Sequence, residues 1–301
     1  MKTHLLMTKT LSIIFMLVLS IFLTACGGGG SSDDSSSGIS YTGLTDMAII
    51  DADNAVELAL GAYFGGPIED SFWAEQRSED QANPFTQSLS IVSDTVTVSG
   101  NCGGSQTTNV YLDDTNGSFT GTEVFKDYCE DGMTTSGTVN FTGNANLYTL
   151  EINNIAMSFD QLTVSSVEGS VLMSGTINNQ FGLGSLQQTM NYLIRDNRDN
   201  DSKVYKIDNY QIDTEISPIG TVEITYTSGK YYHPDFGYVE LESLTPFIVY
   251  DGGYGADSGE LLVNGHASTN ALLSVINSEE IMVEADTNGD GVYDFYWSSL
   301  E

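Results

Sequence analysis

The chain has 301 residues, with 41 acidic against nine basic side chains, a formal net charge of −32 and 40% hydrophobic residues. So acidic a surface repels nucleic acid and anionic lipid headgroups, which excludes both as binding surfaces. It suits either solubility in a salty medium, where screening shortens the Debye length to a few Å, or the binding of divalent cations.

Residues 1–25 have the composition of an export signal. Lys2 and Lys9 give a positive start, and Leu11 to Leu23 form an uncharged apolar run of 13 residues. A bilayer-spanning helix needs roughly 20 such residues, so the run fits a cleaved leader better than a permanent span. It ends in Leu23-Thr24-Ala25-Cys26. This tetrapeptide resembles the lipobox of bacterial lipoproteins. The resemblance implies cleavage before Cys26 and a diacylglyceryl thioether on that cysteine, with an acylated new N-terminus. Several acyl chains, at about 0.8 kcal/mol per buried CH₂, make such anchoring close to permanent. Residues 26–38 supply the lipidated cysteine and a linker of Gly, Ser and Asp only, which behaves as a flexible tether. Gly27 rather than Asp comes directly after the cysteine, which by resemblance to the sorting rule of enteric bacteria favours the outer membrane. Without Lys2 and Lys9 the mature chain keeps seven basic against 41 acidic residues, a net charge of −34.

With Cys26 taken by lipid, Cys102 and Cys129 remain, an even pair in an oxidising compartment that reads as one disulfide. No CxxC motif or Cys/His cluster suggests zinc, and beyond the leader the sequence holds only His233 and His266.

Residues 39–87 read as a helix with an irregular lead-in to the next domain. The spacing of Ala52, Ala55, Val56, Ala59, Leu60 and Tyr63 predicts a helix over 46–64 with one apolar stripe. Asp51 or Asp53 caps it, and Gly65-Gly66-Pro67 stops it. Residues 67–87 are expected to be irregular, with Phe72, Trp73 and Phe85 packing on the segment C-terminal to them.

Residues 88–301 form the β domain. Short alternating runs rich in Thr, Val, Ile and Tyr recur between Gly, Asn and Asp, and Asn116-Gly117 is a tight-turn signal. No helical pattern interleaves them, so parallel βαβ units are not expected. The expected fold class is all-β: a large antiparallel meander curled into a barrel, half-barrel or sandwich, with one short N-terminal helix. Strands near 88–100, 106–113, 118–127 and 135–143, joined as hairpins, put Cys102 and Cys129 at the same end of the sheet.

Two loops are rich in oxygen donors. Residues 195–201 hold five Asp or Asn, but two arginines oppose a cation there. Asp286 to Asp294 reads D-x-N-x-D-G-x-x-D. Calcium takes six to eight oxygens, which such loops supply from alternate positions. Here these are the side chains of Asp286, Asn288 and Asp290, the carbonyl of Val292, and Asp294 directly or through water. Over nine residues the segment resembles EF-hand, dockerin and thrombospondin-type calcium loops. It departs from them at the twelfth position, where Trp297 replaces the bidentate acid, and in lacking flanking helices. The same residues also suit a tight hairpin turn.

No G-x-S-x-G, phosphate loop or HExxH is present, and among 41 acids no carboxylate pair stands out. Glu240 and Glu242, near His233, Asp235, Tyr231, Tyr232 and Phe236, offer a sugar-binding or hydrolytic patch, or simply a solvated strand face beside a turn. Tyr250 to Gly255 reads as an exposed loop or a wide hairpin connection.

The C-terminal third also resembles uncharacterised lipoproteins of marine gammaproteobacteria. The matching residues are Ser258 to His266, Ile281 to Asp294 and Trp297, together with the lipobox and tether. The resemblance implies location and fold, not an activity. The expectation is a non-enzymatic, outer-membrane-anchored binding or envelope-structural module facing periplasm or cell surface, with a glycan or envelope protein as partner and calcium as its one metal. The alternatives are a carbohydrate-binding adhesin, a polysaccharide hydrolase and a lipid carrier.

Overall fold

The computed structural model describes residues 39–67, 94–130, 132–146, 152–165, 169–182, 184–198, 202–217, 221–250 and 255–300. Cys26, the tether and the 68–87 lead-in lie outside them. The fold is all-β, as expected, and the described residues hold one helix of more than one turn, α1 (Ala55–Phe64). Fourteen strands pair strictly in chain order in one sheet. They are β1 (Asp94–Gly100), β2 (Gly103–Leu112), β3 (Ser118–Glu130), β4 (Met133–Ala145), β5 (Ile152–Ser165), β6 (Ser170–Gly182) and β7 (Ser185–Asp196). After these come β8 (Lys203–Ile216), β9 (Val222–His233), β10 (Gly237–Val249), β11 (Ser258–Asn264), β12 (Asn270–Asn277), β13 (Glu280–Asp286) and β14 (Phe295–Ser298). The first and last strands do not pair with each other, so this sheet is not a closed barrel.

The described residues fall into two compact units. Unit 1 draws on 94–178 and 195–202, and unit 2 on 40–67, 179–194 and 203–300. In unit 1 the register from β2 to β5 puts Phe119, Phe125, Val139, Phe141, Met157 and Phe159 among the buried residues, separated by polar neighbours as a two-residue period requires. The disulfide forms in this unit. Cys102 sits in the β1–β2 turn and Cys129 near the end of β3, 5.1 Å apart at Cα, an ordinary disulfide separation. The Cys102 N–H donates to the Cys129 carbonyl at 3.2 Å.

In unit 2, α1 packs against β9 to β13. The strand positions that face it are small or branched: Leu261, Val263, Ala271, Leu273, Val283 and Ala285 are all completely buried. The helix is shorter than its periodicity predicts. Residues 46–50 are extended because the sheet claims their backbone: Tyr238 and Asp46 to Ala48 exchange two hydrogen bonds of 2.8 and 2.9 Å, and His266 N–H donates to Ala48 O at 2.6 Å. Neither Asp51 nor Asp53 caps the helix. The N-cap is Asn54, which makes no side-chain capping bond. Asp51 instead shapes the turn before it, accepting the N–H groups of Asp53 and Asn54 at 2.9 and 3.1 Å. Nor is there a single apolar stripe. Ala55, Leu58, Ala59, Leu60, Gly61 and Ala62 are buried, while Ala52 lies outside the helix and is exposed. A helix apolar nearly all round is one that expects cover on several sides.

Tyrosines complete that cover. The last carbonyls of a helix have no partner within it. Here Tyr210 Oη donates to Ala62 O at 3.1 Å, Tyr226 Oη to Tyr63 O at 2.9 Å and Tyr192 Oη to Gly65 O at 3.1 Å. Gly65 takes the left-handed conformation (φ 70°) and Gly66 N–H closes back on Gly61 O at 3.1 Å. Burial pushes the phenol pKa of Tyr192, Tyr210 and Tyr226 well up, so all three hold the proton they donate.

Candidate functional site

The patch around the β9–β10 hairpin divides between two faces of the strands. Tyr231 and His233 point toward α1 and are completely buried. His233 Nδ1 accepts the Asp235 N–H at 3.2 Å, so Nε2 carries the ring proton and donates it to Glu57 Oε1 at 2.7 Å. Phe236 stacks on the imidazole at 4.4 Å between centroids, and Tyr205 meets it edge-on at 5.2 Å. The hydrogen bond from His233 holds the Glu57 carboxyl below the usual carboxylate range. Lys203 pairs with Asp235 at 2.7 Å beside it. With its ring sealed and both nitrogens bonded, His233 ties the first turn of α1 to the hairpin and has no face open to a reactant.

The opposite face carries a ladder. Tyr232 on β9 stands across from Lys206 on β8 and from Tyr238 on β10. The two tyrosine rings lie 5.2 Å apart, Lys206 Nζ is 4.5 Å over the Tyr232 ring, and Lys230 Nζ is 4.3 Å over the Tyr238 ring. Asp208 pairs with Lys206 at 2.9 Å and Glu240 with Lys230 at 3.1 Å. Tyr41 closes the row, edge-on to Tyr232 at 5.6 Å, with its hydroxyl on the carbonyls of Leu44 and His233. Burial pushes that hydroxyl up to about 12. Thus two of the nine basic residues of this acidic chain lie over aromatic rings on one strand face. Glu240 and Glu242 do share this face, but Glu240 is engaged by Lys230 and Glu242 is exposed.

The Asp286–Asp294 segment joins two strands, β13 and β14, as expected. Its oxygens organise its own backbone. Asp286, 1% exposed, accepts N–H bonds from Gly289 and Asp290 on Oδ1 (2.7 and 3.2 Å) and from Gly291 on Oδ2 (2.7 Å). Asn288 Oδ1 accepts from Asp290 N–H and Asp290 Oδ1 from Val292 N–H, both at 2.9 Å. Asp294 takes the Thr287 N–H and hydroxyl and the Asn288 amide at 3.0 to 3.2 Å, bonds that hold its carboxyl below the usual range. Among the described residues no group of three or more His, Cys, Asp or Glu side chains is placed to hold a metal ion. In the 195–201 loop Arg198 forks onto Asp196 with bonds of 2.9 and 2.6 Å; residues 199–201 lie outside the described residues, as do 251–254 of the aromatic Gly-rich loop.

Two buried polar centres had no sequence signal. Glu123 on β3, 1% exposed, accepts from Gln106 Nε2 and from Thr108 Oγ1 on its Oε1, while its Oε2 has no partner. Asn179 accepts from Gln188 at 2.8 Å and leaves its own amide nitrogen without one. A carboxyl among Phe and Val on a strand that otherwise alternates normally is indistinguishable in sequence from one on the solvent face, because only the neighbouring strands decide which face is covered. Comparison with protein-family models, curated proteins and solved structures finds no match to the chain.

Proposed function

We propose that the protein is an outer-membrane lipoprotein, held by lipid on Cys26, whose β domain acts as a non-enzymatic binding or envelope-structural module. The observation that carries this reading is the run from Leu11 to Cys26 with the Gly/Ser/Asp tether after it, which supplies leader, lipobox and spacer in the required order. Cys26→Ala tests the anchor: the variant should lose palmitate labelling and stay as unlipidated precursor. Labelled, membrane-anchored variant would refute it.

A second reading is favoured by the Tyr232–Tyr238 ladder. A rigid strand face that alternates rings with lysine and carboxylate groups offers both apolar contact and hydrogen bonds to a neutral glycan. Acidic glycans are disfavoured by the net charge. A glycan screen with the unlipidated chain tests it, and Tyr232→Ala together with Tyr238→Ala should remove any binding seen; retained binding would place the site elsewhere. In the same module the Asp286 loop stiffens the last hairpin, with calcium as the hard cation its oxygen-only donor set suits. Calcium should raise the melting temperature and Asp290→Ala should abolish the rise.

A further inference from the structure

We propose that Glu123 is a proton-binding site that governs how firmly the β2–β4 part of unit 1 stays closed. Protonated, its carboxyl is a neutral side chain that the apolar face tolerates. Ionised, it forces that face to admit water or a cation.

The geometry makes this residue unusual. Glu123 stands across from Thr108 on β2 and Val139 on β4, with Gly121 and Phe125 as its same-face neighbours on β3. It is 1% exposed, and Phe125 and Val139 are 6% exposed each. Oε1 is satisfied by the Gln106 amide and the Thr108 hydroxyl at 3.3 Å, whereas Oε2 receives no hydrogen bond. The groups that face it from β2 are thus the uncharged Gln106 and Thr108, and from β4 the apolar Val139; no titratable or charged side chain among the described residues acts on it. An ionised carboxylate buried without a cation is costly, and the group answers by keeping its proton.

Burial therefore pushes its pKa up to about 7, against the smaller opposing effect of the two hydrogen bonds. Every other acid with a resolved shift among the described residues moves down: Glu57, Asp113 and Asp294. Glu123 is the one raised. The sign follows from linkage. The folded state holds this proton more tightly than the unfolded chain does. Its contribution is fully present below the ordinary Glu range near 4.5, is lost as pH rises through 7, and is flat above.

The test uses the full chain in detergent. Protection factors of β2–β4 amides, followed by hydrogen exchange from pH 4 to 9, should fall in the wild type by about 300-fold relative to Glu123→Gln. Superimposable profiles would overturn the proposal. Infrared titration of the wild type gives a second readout that does not depend on the variant folding. A protonated carboxyl band should persist at pH 6 and disappear with a midpoint of about 7. Complete ionisation of all acids by pH 6 would overturn the proposal equally.

Discussion

Tyr210→Phe isolates one hydroxyl and leaves the ring, and so measures what closing the end of α1 is worth. Tyr210 is 1% exposed and its Oη–Ala62 O bond of 3.1 Å is the partner that carbonyl has outside the helix. Phe fills nearly the same volume, so no cavity term enters. The lost bond itself contributes about 1 kcal/mol net, and a carbonyl left buried without a partner raises the cost toward ~3 kcal/mol. Tyr192→Phe exposes the same deficit at Gly65 O, three residues further on. The two hydroxyls serve different carbonyls, so the double variant should lose about 2–6 kcal/mol if the effects add. Urea unfolding followed by far-UV circular dichroism reads the difference as a shift in midpoint at constant slope. Tyr238→Phe, on the other face of the sheet, is the control and should stay within about 0.5 kcal/mol of wild type. A double variant as stable as that control would refute the account of the helix end, because the carbonyls would then be satisfied some other way.

Reduction of Cys102–Cys129 should destabilise the folded chain by about 3 kcal/mol, with loss of exchange protection concentrated in β1–β3. Gly61→Ala sets two effects against each other. Ala gains about 1 kcal/mol as a helix former, but its methyl would collide with the hydroxyl end of the buried Tyr231 ring. Crowding of this kind typically costs about 1–3 kcal/mol, so the melting temperature should fall; a rise would show that the ring has room to move. Asp286→Ala strips the Gly289 and Gly291 N–H groups of their acceptor and the Asp290 N–H of one of its two. It should lower stability by about 2–3 kcal/mol even without calcium, and an unchanged midpoint in chelator would contradict the turn-organising role.

Much of the β domain is legible because its signals are local. Alternation and turn residues mark strands whatever they pack against. The Cys102–Cys129 pair follows from the cysteines left once Cys26 is set aside, with the hairpins placing both at one end of the sheet. The helix boundary is not legible, since the residues from Met47 to Ile50 have acceptable helical spacing and the groups that draw them into extended form, the backbones of Tyr238 and His266 and the Thr269 hydroxyl, lie about 200 residues away. The proposed sugar or hydrolytic patch illustrates a second limit. His233 and Glu240 are close in sequence, yet the two-residue period sends one inward and the other out. Its true companion, Glu57, lies 176 residues away. Glu123 and the lysines over Tyr232 and Tyr238 depend on cross-strand register, which no single segment encodes.

The strictly sequential pairing of the strands bears on how this chain reaches its folded state. Each hairpin needs only the residues just before it, so the sheet can lengthen strand by strand as the chain is synthesised, with little loop closure to wait for. Helix α1 is the exception. It is made first, is too short at ten residues to persist alone in water, and finds the Tyr210 that closes it only 148 residues later. The first of the described elements to be made is therefore the last to be locked. Until β9 to β13 have formed, the apolar surface of α1 is left without the strands that cover it.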